Sequence, residues 1–215
     1  MPSASICGVC GAAAPAPFRP PPAETAPDLD LRPGEPTRST LLGWVTTCRS
    51  CGACAPDLST LPPELAEIVS SPDYRAVAPG PTQRFLRWAM LCASPSERAE
   101  ATMQAAWAAD DANDPAAASF RQEAARLWAG DPDPQTGLRR LDALRRAGAF
   151  AEAMELLDTL NGDPEILAFQ RARISAQDHG RYLISSALRP PARTPHVGHG
   201  KRKTGFWKSL FGQGK

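Results

Sequence analysis

The chain has 215 residues, 42% of them apolar, and a formal net charge of +1, which allows one or two packed domains. Aromatics are 7%, and alanine carries much of the apolar content, which suits close-packed helices better than sheets. No apolar run approaches the ~20 residues of a membrane span and no secretory leader precedes the first cysteine, so the expected compartment is the cytosol.

The first element is Cys7-Gly8-Val9-Cys10-Gly11, and its counterpart is Cys48-Arg49-Ser50-Cys51-Gly52. Each has the form of a zinc knuckle, a tight turn that aims two thiolates at one metal, followed by a glycine that lets backbone N–H groups face the sulfurs. Two knuckles supply four soft ligands for a tetrahedral Zn²⁺ site, so Cys7, Cys10, Cys48 and Cys51 are the candidate ligands. A closed site of this kind has no open position for substrate, which favours structure or binding over catalysis. In the cytosol, paired cysteines read as metal or redox sites rather than disulfides. Cys48, Cys51 and Cys54 are evenly spaced, so Cys51 and Cys54 compete as the second pair; Gly52 matches Gly11 and favours Cys48 and Cys51.

Between the knuckles, Pro15 to Pro36 is expected to form an irregular loop. Within it, Asp28 and Asp30 could bind a cation, but read more simply as solvated turn residues. Ser39–Thr47, rich in Thr, Leu, Val and Trp, is expected to be a strand entering the second knuckle, the zinc-ribbon arrangement. Thirty-seven residues lie between Cys10 and Cys48. That exceeds the usual ribbon spacing of roughly 15–20, and the proline-rich loop can absorb the excess.

From Leu61 onward the signals are helical. Helices are predicted over 64–70, 83–93 (capped by Thr82), 94–109 (opened by the capping box Ser94-Pro95-Ser96-Glu97), 114–129, 134–147, 150–160, 164–177 and 181–188. The 83–93 helix is apolar nearly all round and is expected to be deeply buried, with Cys92 as inert core. Trp88, Leu91, Trp107, Leu127, Leu144 and Leu157 are expected to be buried. Asp110, Asp111, Asn113 and Asp114 read as a helix end and the next cap. His179 is expected at a helix C-terminus, where an imidazolium complements the dipole. Leu141, Leu144, Gly148, Phe150, Ala153, Leu157 and Pro164 follow part of the tetratricopeptide pattern.

The last 27 residues differ in charge. Arg189 to Lys215 hold seven basic residues, including all four lysines, and no acid; the preceding 188 residues hold 17 arginines against 23 acids, a balance of −6. His196 and His199 fall in this Pro/Gly-rich stretch. Phe206, Trp207, Leu210 and Phe211 fit one face of a short amphipathic helix ringed by Lys201, Arg202, Lys203 and Lys208. This tail is expected to be disordered when free, and able to meet an anionic membrane, a nucleic acid or a partner's groove.

The paired knuckles, the segment Pro27-Asp28-Leu29-Asp30-Leu31-Arg32-Pro33, Ser39–Thr47 and Cys51 to Leu58 together resemble an uncharacterised bacterial family. Its members join an N-terminal cysteine-knuckle module to a tetratricopeptide-like helical region. The resemblance covers roughly residues 5–185 and implies Cys7, Cys10, Cys48 and Cys51 as metal ligands. It implies no activity. The chain departs from it at Gly8-Val9 and Arg49-Ser50, where a turn former such as proline is common, and at Ala53, where an aromatic is.

The sequence therefore predicts a mainly α protein with a small N-terminal β zinc ribbon and a helical-hairpin, tetratricopeptide-like bundle. Its expected units are a zinc-ribbon-like module (1–60), an independently folded helical domain (61–188) and a basic tail (189–215). No phosphate loop, HExxH or GxSxG is present, so the expected function is a non-enzymatic, zinc-binding adaptor or scaffold for protein or peptide partners. The alternatives are nucleic-acid binding or regulation through ribbon and tail, and thiol redox chemistry.

Overall fold

A computed structural model of the chain describes residues 5–188, so the expectations for the basic tail lie outside the described residues. The molecule is mainly helical, with two small N-terminal hairpins. In the first, β1 (Ser5–Ile6) pairs antiparallel with β2 (Ala13–Ala14). In the second, β3 (Thr46–Thr47) pairs antiparallel with β4 (Cys54–Ala55). Most of the strand expected over Ser39–Thr47 is instead a 3₁₀ helix, Arg38–Gly43, that turns Leu41 into the core. The Thr40 and Trp44 side chains explain the change: Trp44 Nε1 donates to Thr40 Oγ1 at 2.9 Å, an i,i+4 bond that an extended chain could not make.

After short 3₁₀ turns at Leu58–Thr60 and Pro63–Leu65 come α1 (Ala66–Ser70) and α2 (Pro72–Ala76). The larger helices follow: α3 (Gln83–Leu91), α4 (Pro95–Asp111), α5 (Ala116–Leu127), α6 (Pro134–Arg146), α7 (Phe150–Leu157) and α8 (Pro164–Ser175), closed by α9 (Ile184–Ala187). The capping box forms as expected, with Ser94 Oγ accepting from Glu97 N and the Glu97 carboxylate accepting from Ser94 N. Asp133 and Asp163 cap α6 and α8, each with proline at the first helical position. Thr82, by contrast, makes no side-chain cap to α3.

The buried helix is α4 rather than α3. Every residue from Ala101 to Ala109 is buried, and α4 lies between α3 and α5. Six alanines among its buried positions let both neighbours approach closely. On α3, Phe85, Ala89 and Leu91 are buried, while Trp88 is half-buried and Arg84 and Arg87 reach outward to backbone carbonyls of Leu42 and Tyr74. Leu127 is half-buried and its neighbour Trp128 takes the core position. Consecutive helices α5 to α8 pack pairwise, with Leu141, Leu144, Ala153 and Leu157 buried between them. His179 lies beyond the end of α8 at Ser175, and its ring packs edge-on to Phe150 at 4.9 Å.

The N-terminal segment and the helices share one core. Leu41, Val45 and Cys54 belong to the same buried cluster as Phe85, Met103 and Trp107. The proline-rich loop also docks on the helices. Ile184 N donates to Pro27 O at 2.9 Å, Leu29 N donates to Tyr182 O at 3.0 Å, and Leu29 packs on Ile166, Ile184 and Ala187.

The aspartates of this loop are therefore not solvated. Asp28 and Asp30 are 1% and 0% exposed. Asp30 Oδ2 accepts from Trp107 Nε1 at 3.0 Å and from Arg146 Nη1 at 2.9 Å, while Oδ1 accepts from Arg32 N at 3.1 Å. Arg146 continues through Nη2 to Asp110 Oδ2 at 2.7 Å, Arg121 pairs with Asp110, and Arg32 pairs with Asp111. Burial opposes ionisation of Asp30, but the Arg146 and Arg121 charges and the Trp107 bond outweigh it and hold its carboxyl below the usual carboxylate range. The Asp28 carboxylate pairs with Arg38 at 2.9 Å; burial, together with the Asp30 charge, outweighs this and pushes its carboxyl up.

Candidate metal centre

The two cysteine knuckles are built alike. Cys7 N donates to Ala12 O at 2.8 Å and Gly11 N to Cys7 O at 2.7 Å; Cys48 N donates to Ala53 O at 2.8 Å and Gly52 N to Cys48 O at 2.9 Å. Gly11 and Gly52 have φ of 71° and 82°, a left-handed conformation in which a Cβ is disfavoured. Each knuckle is thus a short hairpin whose turn is reversed by its glycine.

The hairpins face each other. The four sulfurs of Cys7, Cys10, Cys48 and Cys51 lie within 4.8 Å of one another. The Cys7–Cys51 and Cys10–Cys48 separations are 3.8 and 3.7 Å. A tetrahedral zinc with bonds of about 2.3 Å has sulfur–sulfur edges of about 3.8 Å, so the donor set fits such an ion. Cys54, the competing candidate, is outside this group. Its buried Sγ lies 3.3 Å from Thr47 Oγ1 and 3.6 Å from Gly52 O, on the core side of the second hairpin. Cys92 is also buried and separate, and burial pushes its thiol up to about 12.

The protonation of the cluster is uneven. Burial, reinforced by the neighbouring sulfurs, pushes Cys51 up to about 12, and burial raises Cys7 as well. Burial opposes ionisation of Cys48 too, but the amides of Cys51 and Ser50 and the adjacent thiols outweigh it and bring Cys48 to about 7. Four sulfurs this close cannot all carry thiolate charge without a cation among them.

The helical body supports the centre through a residue that spacing did not single out. Tyr74 on α2 is buried; its hydroxyl accepts from Cys54 N at 3.0 Å and donates to Gly52 O at 3.2 Å, bracketing the turn that carries Cys51. Gly8 N in the first knuckle donates to Leu58 O at 2.9 Å. Cys7, Cys48, Leu58, Leu61, Val69, Tyr74 and Leu91 form one buried cluster under the sulfurs.

Comparison with protein-family models, curated proteins and solved structures finds no match to this chain. What the structure supports of the expected family is the cluster of four cysteines and the mainly helical fold. No described helix is long and apolar enough to cross a membrane.

Proposed function

We propose that Cys7, Cys10, Cys48 and Cys51 hold Zn²⁺ as a closed structural centre, and that the protein is a non-enzymatic scaffold presenting its helical region to a protein or peptide partner. The observation that carries this reading is the facing pair of matched knuckles, with sulfur separations at the edge length of a zinc tetrathiolate. All four positions around such an ion are filled by the chain, which leaves none for substrate. Four thiolates in tetrahedral array suit zinc or iron, and zinc is our reading, which elemental analysis decides. The helix pairs from α5 to α8 supply the larger surface in this reading, with tetratricopeptide-like packing of α6 and α7 as its finer form.

Elemental analysis of protein purified without chelator tests the centre, with one zinc per chain expected. Replacement by Co²⁺ should give the visible absorption of tetrahedral thiolate coordination. Protein free of metal, with Cys7–Cys51 or Cys10–Cys48 disulfides, would replace this reading by thiol redox chemistry.

A further inference from the structure

The outer side of α3 carries arginines that no acid answers. Residues 36–56 and 74–96 contain no Asp or Glu, yet hold Arg38, Arg49, Arg75, Arg84 and Arg87. The two stretches pack together, α3 lying against β4. Arg38 is taken by Asp28, and Arg49 stands among the thiolates. Arg75, Arg84 and Arg87 have no ion-pair partner among the described residues. Arg84 and Arg87 are three apart on α3 and so share a side. Backbone carbonyls hold both: Arg84 Nη1 donates to Leu42 O at 3.2 Å, and Arg87 donates through Nε to Tyr74 O at 3.2 Å and through Nη2 to Arg75 O at 3.3 Å. A guanidinium has five N–H donors, so each keeps others for an external acceptor.

An exposed aromatic ring adjoins them. Phe18 is 41% exposed, and a Cβ at Gly43 would lie 3.5 Å from three of its ring atoms, so the ring covers that glycine. The preceding residue, Leu42, is 54% exposed, and its carbonyl takes the Arg84 bond. Phe18 and Arg84 therefore flank the Leu42-Gly43 step. Arg19, exposed and without an ion pair, follows Phe18. Pro17, Pro20, Pro21 and Pro22 stiffen this part of the chain, and Thr37 Oγ1 donates to Pro21 O at 2.6 Å to hold it. The acids that border these stretches in sequence include Glu35, Asp57 and Glu97, and each already accepts from a serine, at Ser39, Ser59 and Ser94. Fixed guanidiniums suit phosphate oxygens, and an exposed ring offers a stacking platform to an unpaired base.

We propose that the face formed by Phe18, Arg19, Arg75, Arg84 and Arg87 binds single-stranded nucleic acid, with the arginines on phosphates and Phe18 against a base. It uses α3 and the proline-rich loop, and leaves the α5 to α8 pairs free for a protein partner.

Fluorescence anisotropy of the full-length protein with a labelled oligo(dT) of about 10 nucleotides tests this. Arg84→Gln/Arg87→Gln should weaken binding about tenfold at about 50 mM salt, and should lower the slope of log K against log salt by about 1.4, the share of two phosphate contacts. Phe18→Ala should weaken binding about fivefold or more without changing that slope. Arg126→Gln/Arg171→Gln removes the same charge from exposed, ion-paired sites on α5 and α8 and should change neither value. Circular dichroism matching the wild type shows which variants are folded. In the wild type, which needs no variant to fold, an oligonucleotide carrying 5-bromouracil should cross-link on irradiation at or beside Phe18. Absence of binding by the wild type would overturn the proposal. So would equal losses in the two arginine pairs, or cross-links confined to residues 189–215. Equal binding of a polyglutamate peptide, with the same dependence on Arg84 and Arg87 and none on Phe18, would overturn it in favour of an acidic protein partner.

Discussion

Trp107 Nε1 donates to Asp30 Oδ2 at 3.0 Å, across 77 residues of sequence, and both residues are buried. This bond, with Arg146 on the same carboxylate oxygen, fixes the middle of the proline-rich loop to the centre of the helical body. A loop that composition marks as irregular is thereby part of the core's polar interior.

Asp30→Asn keeps the shape of the side chain but removes the charge that Arg146 faces. Breaking a buried pair by deleting one partner costs about 3–5 kcal/mol where the remaining charge is left unpaired; Arg146 keeps Asp110 at 2.7 Å, so the loss here should fall below that range. The urea midpoint of Asp30→Asn should fall accordingly, whereas Trp107→Phe should lose about 1.5–3 kcal/mol, the range for a hydrogen bond to a charged group.

Acid should unfold the protein through the same carboxylates. Burial opposes ionisation of Asp30 and Asp110, but Arg146 and Arg121 outweigh it and hold both below the usual range. A depressed folded-state pKa gives stability that is full above the unfolded value of about 3.9 and is lost as pH falls through the folded value. Asp28 acts in the opposite sense: its raised pKa is a cost above the folded value that disappears on protonation. Two depressed groups against one raised group predict falling stability below about pH 4. Urea midpoints across that range should decline in the wild type, and decline less in Asp30→Asn.

Tyr74→Phe retains the ring and removes the hydroxyl that joins Gly52 O to Cys54 N. Leaving those buried groups unpaired should cost about 1–3 kcal/mol. Loss of bound metal to a competing chelator should be faster than in the wild type, since the second knuckle loses its brace.

Ligand substitution should separate the cysteines. Cys48→Ser should lower metal content, while Cys54→Ala should leave it unchanged, because the Cys54 sulfur faces Thr47 Oγ1 and the core. Since Leu41 and Val45 share a cluster with α4, chelation should lower the thermal midpoint of the whole protein rather than melt residues 1–60 alone. Tryptophan fluorescence and far-ultraviolet circular dichroism should report one shifted transition.

The helices were largely legible in the sequence because their limits are chemical. Ser94 with Glu97, Asp133 with Pro134 and Asp163 with Pro164 mark starts, and the left-handed Gly148 marks the end of the α6 turn. The knuckles were legible for the same reason, each reversal needing its glycine. Asp28 and Asp30 misled because their partners, Arg38, Trp107 and Arg146, are set by tertiary packing that no local window contains. The run Asp28-Leu29-Asp30-Leu31-Arg32 is a turn, with Leu31 N donating to Asp28 O and Leu31 at φ 63°, and its leucines beside the acids were the available signal of burial. Tyr74 had none: a single tyrosine on a five-residue helix gives no periodicity to read. The apolar run in α3 overstated its burial, since α4, with smaller side chains, fits between two neighbours where α3 does not.

The bond from Arg146 to Asp30 spans 116 residues, whereas the helix pairs meet through short turns. Contacts between neighbours in sequence form early, and those that close a long loop come late. The order of assembly follows: the helices must first bring Arg146, Trp107 and Asp110 together before the N-terminal arm has anything to bind. During synthesis Asp30 precedes α6 by more than a hundred residues, so its seat is completed long after it is made. The Asp30 segment of the loop is therefore made early and seated late, whereas the cysteine hairpins find their partners nearer in sequence, at Leu58, Tyr74 and Leu91.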